Sequence, residues 1–243
     1  MQTEEYARLY EHEDRYWWFV GRRRLALRLL GRFSQVETPK ILDVGCGTGA
    51  VLDQLRTLGI AVGLDRFQLA LDFCAKRGIE DLALGDGEAL PFQTDVFDAA
   101  IALDIFEHVE GDFAAVSETF RSLKPGGLLV LSVPAYRWLW GPHDIALMHK
   151  RRYTLRQMKS MLERAGFDVE KCSYSVFFLF PLVVLVRLLD KLRRRPAQVS
   201  LPNVPNWLNS FLLWVQDLEA SIILHLSLPW GSSVVAVARK PAG

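Results

Sequence analysis

Two short stretches gather the side chains that move protons near neutral pH. Asp104-Ile105-Phe106-Glu107-His108 sets two carboxylates and an imidazole within one turn of chain. Gly141-Pro142-His143-Asp144 sets an imidazole beside a carboxylate, and His149 follows, ahead of Lys150, Arg151 and Arg152. An imidazole changes protonation between about pH 5 and 8 and so suits general-base work, while carboxylates with imidazole can hold Mg²⁺ or Mn²⁺. His143 with Asp144 is the first candidate for a base or acceptor contact, and His108 the second. A loop histidine that merely bonds a neighbouring backbone group is an equal reading for His143. Arg151 and Arg152 either hold an anionic group of an acceptor or face solvent.

The elements that must position these residues centre on Ile41-Leu42-Asp43-Val44-Gly45-Cys46-Gly47-Thr48-Gly49, which reads as strand, tight turn and helix. Glycine at alternate positions removes the Cβ atoms that would hold a ligand away from backbone N–H groups. A second apolar strand ends at Asp65, 20 residues after Gly45, where an acid can take both hydroxyls of a ribose. A nucleoside ligand follows. Strands near 40–44, 61–65, 81–84, 97–103 and 127–133 alternate with helices, which predicts a parallel sheet with ligands at its carboxyl ends. Asp43, Asp65, Asp86 and Asp104 all fall at such ends and should form one acidic rim.

The stretch from Ile41 to Gly49 resembles the first motif of the class I S-adenosylmethionine-dependent methyltransferases, of the type 11 or ubiquinone/menaquinone methyltransferase kind. Gly85-Asp86-Gly87-Glu88-Ala89-Leu90-Pro91-Phe92, Phe97 to Leu103 and Leu123-Lys124-Pro125-Gly126-Gly127 are similar to three later motifs in order and spacing. The resemblance covers roughly residues 38–175 and about the last ten. It implies S-adenosylmethionine as cofactor, a cofactor site of Asp43, Gly45, Cys46, Gly47, Gly49, Asp65, Arg66, Asp86, Gly87 and Asp104, and an acid at Asp86 facing the adenine amino group. Gly87 replaces the usual alanine, which is also small. Asp104-x-x-Glu107-His108 is similar to a Glu-x-x-Glu-His segment associated with a divalent metal in ubiquinone-pathway O-methyltransferases. Glu-His after the fourth strand also occurs in relatives not thought to use metal, so no metal is expected, and Asp104, Glu107 and His108 stand as the minor alternative. His149 ahead of Arg152-Tyr153-Thr154 looks like a common feature of related enzymes, with a structural role as open as a catalytic one.

The expected fold is α/β: a doubly wound, seven-stranded, mostly parallel sheet of Rossmann-like methyltransferase type. Residues 1–37 form an N-terminal helical lid, with one helix over 4–33, and residues 38–175 the cofactor-binding core. An apolar helical insertion spans 176–230, and 231–243 returns as the last, antiparallel strand. Trp17, Trp18 and Phe19 should cover the cofactor site with Arg22, Arg23 and Arg24 solvated, or else meet a membrane interface or anionic substrate. In the insertion, Val176 to Val186 is an unbroken apolar run, too short to span a bilayer core, which needs about 20 residues. The following Lys191, Arg193, Arg194 and Arg195 form a basic cluster. A helix over 207–228 should present Leu208, Phe211, Leu212, Val215, Leu218, Ile222 and Leu226 to an apolar surface, opposite Asn209, Gln216 and Asp217.

Half the residues are apolar, and 29 basic residues balance 28 acidic ones, so no global charge points to nucleic acid. Cys46, Cys74 and Cys172 are too few and scattered for a disulfide framework or a zinc site, and the polar start lacks signal-peptide form. The expectation is a cytoplasmic enzyme, peripheral or monotopic on the cytoplasmic membrane face. It would bind an anionic membrane surface and methylate oxygen on a lipid, quinone precursor or polyprenyl-linked or glycolipid acceptor. Two alternatives remain: a soluble small-metabolite methyltransferase whose insertion makes a homodimer interface, and a non-catalytic, cofactor-binding membrane adaptor.

Overall fold

A computed structural model of the chain describes residues 3–192 and 204–242. Seven strands, β1 (Lys40–Val44), β2 (Ile60–Asp65), β3 (Leu82–Leu84), β4 (Phe97–Leu103), β5 (Leu123–Pro134), β6 (Asp168–Ser175) and β7 (Ser233–Arg239), form one sheet in the order β3-β2-β1-β4-β5-β7-β6. Only β7 runs against its neighbours, so the expected mostly parallel, doubly wound sheet is present. The central strands are apolar on both sides because helices cover both faces. Alternate residues divide between two cores: Leu42 and Val44 join Phe97, Phe106, Val116 and Leu162 on one side. Ile41 joins Leu29, Leu52, Ile101, Val130 and Ile223 on the other.

The helices are α1 (Thr3–His12), α2 (Trp17–Phe33), α3 (Ala50–Leu55), α4 (Gln68–Lys76), α5 (Asp112–Ser122), α6 (Pro142–Ala146), α7 (Leu155–Arg164), α8 (Phe180–Leu192) and α9 (Asn206–Ile223). The single helix expected over 4–33 is two. It breaks after His12 because Glu13 turns its carboxylate inward, to Thr48 Oγ1 and to Arg77 Nη2 at 2.7 Å, while Arg23 donates to the Glu13 carbonyl at 3.2 Å. The helix expected around 153–167 is α7. Thr154 caps it in a box with Gln157, and Gly166 follows it at a φ of 101°.

The insertion departs from expectation in which side it buries. On α9 the buried residues are Leu212, Val215, Gln216, Glu219, Ala220 and Ile223, whereas Phe211, Leu218 and Leu226 of the expected contact stripe are exposed. Partners far away in sequence decide this. Asn209 accepts from the Trp17 amide and donates to the Arg15 carbonyl, each at 2.9 Å, and Asp217 accepts from Arg24 at 2.6 Å and Arg28 at 3.0 Å. Gln216 packs against Gly21 of α2, where no side chain would fit. Buried Glu219 accepts from the consecutive amides of Val176, Phe177 and Phe178, so the start of the apolar run is a tied loop and only its later part is helix α8. Among the described residues no helix is long and apolar enough to cross a membrane. Arg193, Arg194 and Arg195 of the expected basic cluster lie outside the described residues.

Candidate functional site

At the carboxyl ends of β1 and β4, where the strand order switches, lies a cavity of about 1180 Å³. Its polar end is the β1–α3 turn. The amides of Gly45 and Cys46 bond the Leu64 carbonyl at 2.8 and 2.9 Å, which folds the loop back across β2. Gly45 has a φ of 72°, and a Cβ there would lie 2.6 Å from Ile105, so the turn demands glycine on two counts. Gly47 also lines the cavity, and its amide donates to Asp65 Oδ2 at 3.1 Å. Gly49 lies behind the wall as the N-cap of α3. A Cβ on Gly87 would make only an ordinary 3.7 Å contact with Val44, so the small residue there is a convenience.

All four acids of the expected rim, Asp43, Asp65, Asp86 and Asp104, line this cavity, as do Cys46 and Arg66. Asp65 Oδ1 also takes the Phe67 amide at 3.0 Å, fixing its side chain. Asp86 is held by the Glu88 amide at 3.0 Å, with Arg66 3.8 Å away. Asp43 is the unusual member. It is buried, its Oδ2 has no hydrogen-bond partner among the described residues, and burial, then Asp65 and Glu13, push its pKa up to about 7. A cationic, nucleoside-bearing cofactor fits: it would meet a side-chain-free turn, a fixed acid at ribose distance along the sequence, and a buried carboxylate lacking a partner.

Of the three arginines expected in solvent, Arg24 is exposed, while Arg22 and Arg23 turn inward. Arg22 reaches inward to pair with Asp104, which Ser132 Oγ also holds at 3.1 Å, and Arg23 is buried beside Glu13 and Asp14. Burial lowers the Arg22 pKa to about 10 against the pull of Glu107, Glu13 and Asp43. Trp17, Trp18 and Phe19 line the cavity as expected, with Tyr6, Leu9 and Glu13 beside them. The sequence reading missed Arg22, Glu13 and Tyr6. Arg22 had a signal, since Trp18, Arg22, Leu25 and Leu29 fall on one helical stripe.

Glu107, His108, His143 and His149 all line the cavity, but the proton-moving residues are not paired as along the chain. Asp144 is fully buried at the start of α6, where its Oδ2 takes the Gly141 amide at 2.9 Å. Its Oδ1 holds Nδ1 of His149 at 2.9 Å and Nε of Arg152 at 2.7 Å. The expected His143–Asp144 partnership is therefore replaced by Asp144–His149, because the short helix carries the carboxylate inward while His143 faces the cavity. His149 also stacks edge-on with His108, ring centres 4.7 Å apart, and its Nε2 lies 4.0 Å from Glu107. Burial, then the neighbouring His149, lowers the His108 pKa to about 3; burial, then Arg187, lowers that of His143 to about 4. Burial raises Glu107 to about 8. Arg151 bonds Asp112 at 2.9 Å and the carbonyls of Val109 and Glu110, so neither Arg151 nor Arg152 simply faces solvent.

The same cavity is lined by Leu179, Leu182, Val183 and Val186 on the α8 side, with Arg187 beside them, and by Leu208 and Leu212 of α9. Outside it, α9 exposes Trp207, Phe211 and Trp214 at 72%, 51% and 60% of their surface.

Residues 42–131 match the family described as a methyltransferase domain. The "Probable S-adenosylmethionine-dependent methyltransferase" of Mycolicibacterium smegmatis is 30% identical over 165 residues, covering 65% of this chain and 62% of that protein. The biotin biosynthesis bifunctional protein of Teredinibacter turnerae is 31% identical over 60% of this chain and 30% of its own length. The ubiquinone biosynthesis O-methyltransferase of Bartonella tribocorum is 30% identical over 42% and 44%. In each case the match spans less than two thirds of the relative. Solved structures share the fold: a chain of the Haloferax volcanii complex of the Trm112 methyltransferase activator with a methyltransferase has a TM-score of 0.64 at 21% identity, covering 98% of this chain and 95% of that one. A Haemonchus contortus phosphoethanolamine N-methyltransferase in complex with S-adenosyl-L-methionine has a TM-score of 0.59 at 18% identity, covering 89% and 52%.

Proposed function

We propose that this chain, whose core is a class I S-adenosylmethionine-dependent methyltransferase domain, methylates an oxygen of an apolar, membrane-resident acceptor such as a quinone precursor or a polyprenyl-linked or glycolipid intermediate. The observation that carries this reading is the continuity of one cavity from Gly45, Gly47, Asp65 and Asp86 to Leu182, Val183 and Val186. At about 1180 Å³ it exceeds the roughly 300–1,000 Å³ usual for a single small ligand.

Bound S-adenosylmethionine supplies a methyl carbon on a positively charged sulfur. Gly45 and Gly47 would admit it against the backbone, Asp65 and Asp86 would hold its nucleoside, and Asp43 would offer it negative charge, while Asp104, paired with Arg22, would wall the same site. The apolar wall of α8 and α9 receives the acceptor's hydrocarbon and excludes water. Transfer between two such ligands is chiefly a matter of alignment, which a rigid two-ended cavity provides. His143 and His108 line the same cavity, and burial keeps both unprotonated at neutral pH; His143, or His108 where no metal holds it, can then act as a weak base toward the proton that the acceptor oxygen gives up. The Bartonella tribocorum relative, an O-methyltransferase of ubiquinone biosynthesis, supports oxygen as the acceptor atom. The outward tryptophans of α9 support docking of the protein on a bilayer, where amphipathic rings favour the headgroup zone.

The test is transfer of radiolabelled methyl from S-adenosylmethionine into a total lipid extract from cells lacking the protein, beside an aqueous metabolite extract. Label in the lipid phase is expected. Label only in the aqueous phase removes the membrane acceptor, and label in neither, with cofactor bound, removes the transfer reaction for both classes.

A further inference from the structure

Among the residues lining the cavity stands a cluster that a proton relay does not explain. Glu107, His108 and His149 each offer one ligand atom, and these atoms all lie within 4.8 Å of one another. The three come from different places, two after β4 and one after α6, and all line the cavity. Glu107 is wholly buried, yet neither carboxylate oxygen has a hydrogen-bond partner among the described residues. A buried carboxylate without partners is costly, and it is relieved either by holding its proton or by a bound cation.

The surroundings are those of a ligand set held ready. Nδ1 of His149 is tied to Asp144 at 2.9 Å, which leaves Nε2 turned toward Glu107 and fixes the ring. Carboxylate–imidazole pairs of this kind stand behind metal-ligating histidines and set which nitrogen is free. Asp144 is itself fixed by Arg152 and the Gly141 amide. Atoms no more than 4.8 Å apart surround a point at most about 2.8 Å from each, so metal bonds of about 2.0–2.2 Å need inward moves of only about 0.7 Å. Asp104 is excluded because Arg22 and Ser132 already occupy its carboxylate.

We infer that Glu107, His108 and His149 bind one divalent transition-metal ion, with the remaining coordination positions open to the cavity. Two imidazoles and one carboxylate favour ions such as Zn²⁺, Fe²⁺ or Co²⁺ over Mg²⁺, which prefers oxygen ligands. The ligand set differs from the Asp104, Glu107 and His108 that the sequence offers, and the proposal departs from the expectation of no metal. Three protein ligands with open positions describe a site for substrate rather than a structural clamp. Its role as a Lewis acid beside the acceptor oxygen rests on the methyl-transfer reading; the site itself does not.

The experiment is a titration of chelator-stripped, full-length protein with Co²⁺ in the absence of S-adenosylmethionine and acceptor, read by visible absorption, with thermal melts of every variant. One equivalent is expected to develop an absorption band that about a hundredfold excess of Mg²⁺ does not remove. His149→Ala and Glu107→Gln should each weaken Co²⁺ by at least about tenfold, Asp144→Asn by about tenfold through the loosened ring, and Asp104→Asn not at all. No band at one equivalent, or a folded His149→Ala protein with unchanged Co²⁺ affinity, overturns the site. So does loss of binding in Asp104→Asn with retention in His149→Ala. Since no cofactor or acceptor is present, a failure of methyl transfer leaves this result standing, and a failure here leaves methyl transfer to be judged on its own assay.

Discussion

The carboxylate of Asp144 lies 2.9 Å from Nδ1 of His149, five residues ahead, while the adjacent His143 is left facing the cavity. One buried side chain thus orients an imidazole, neutralises Arg152 and caps the first turn of α6.

Removing that carboxylate should destabilise the fold as well as loosen the His149 ring. Asp144→Ala strands the buried Arg152 guanidinium without its charge partner, a loss of about 3–5 kcal/mol. Burial alone would raise the Asp144 pKa, but the hydrogen bonds from His149 and Arg152 outweigh it and hold the group well below the carboxylate range. A depressed folded pKa contributes stability that is present above the unfolded value of about 4 and lost as pH falls below it. Urea melts should therefore show a gap between wild type and variant that is full at pH 7 and narrows below about pH 4. A constant gap across that range would contradict the ionic account.

Asp43 carries the opposite sign. Its folded pKa is raised to about 7 by burial, then by Asp65 and Glu13, so the stability it contributes is present below about pH 4 and is lost as pH rises toward 7. A cationic ligand favours the ionised form. S-adenosylmethionine binding should therefore strengthen about tenfold between pH 6 and 8, and Asp43→Asn should flatten that rise while stabilising the apoprotein at pH 8. Calorimetric titration at the two pH values, with the product S-adenosylhomocysteine, which lacks the sulfonium charge, as control, checks it. Equal pH dependence in wild type and variant would assign the effect elsewhere.

Gly45→Ala tests the turn. The substitution places a Cβ against Ile105 at a backbone φ of 72°, and strain of about 1–3 kcal/mol at such a position should weaken cofactor binding by about tenfold or more. Gly87→Ala, whose Cβ would make only an ordinary 3.7 Å contact with Val44, should leave binding unchanged in the same titration.

How much of this was legible follows from where the deciding contacts lie. The strands, the glycine turn and the acids at Asp43, Asp65, Asp86 and Asp104 are local patterns and stand where the alternation places them. The burying face of α9 is not local: counting apolar residues selects Phe211 and Leu218, but Arg24, Arg28 and the Trp17 amide turn Asn209 and Asp217 toward α2 instead. The partner of Asp144 is hidden for a related reason. Adjacent residues on a helix point in different directions, so His143 and Asp144 were neighbours in sequence only. Arg22 stood in a run of three arginines that composition reads as solvated, although its helical stripe with Trp18 and Leu25 ran inward.

The partial rotation of α9, which buries Leu212 and Val215 but turns Phe211 and Leu218 out, gives the last prediction. Because the polar side of α9 is spent on α2, Trp207, Phe211 and Trp214 are left outside, and a packed core does not need them. Phe211 and Trp214 stack with ring centres 6.0 Å apart, so they form a patch rather than isolated exposures. If the patch serves a bilayer, Phe211→Ser with Trp214→Ser should leave the melting temperature and S-adenosylmethionine affinity unchanged. The same change should reduce flotation with anionic liposomes at least about tenfold, since two large side chains lose burial worth about 1.5–3 kcal/mol each. Unchanged flotation in the double variant would detach α9 from membrane binding, and a coincident shift from dimer to monomer would assign the patch to a second copy of the chain.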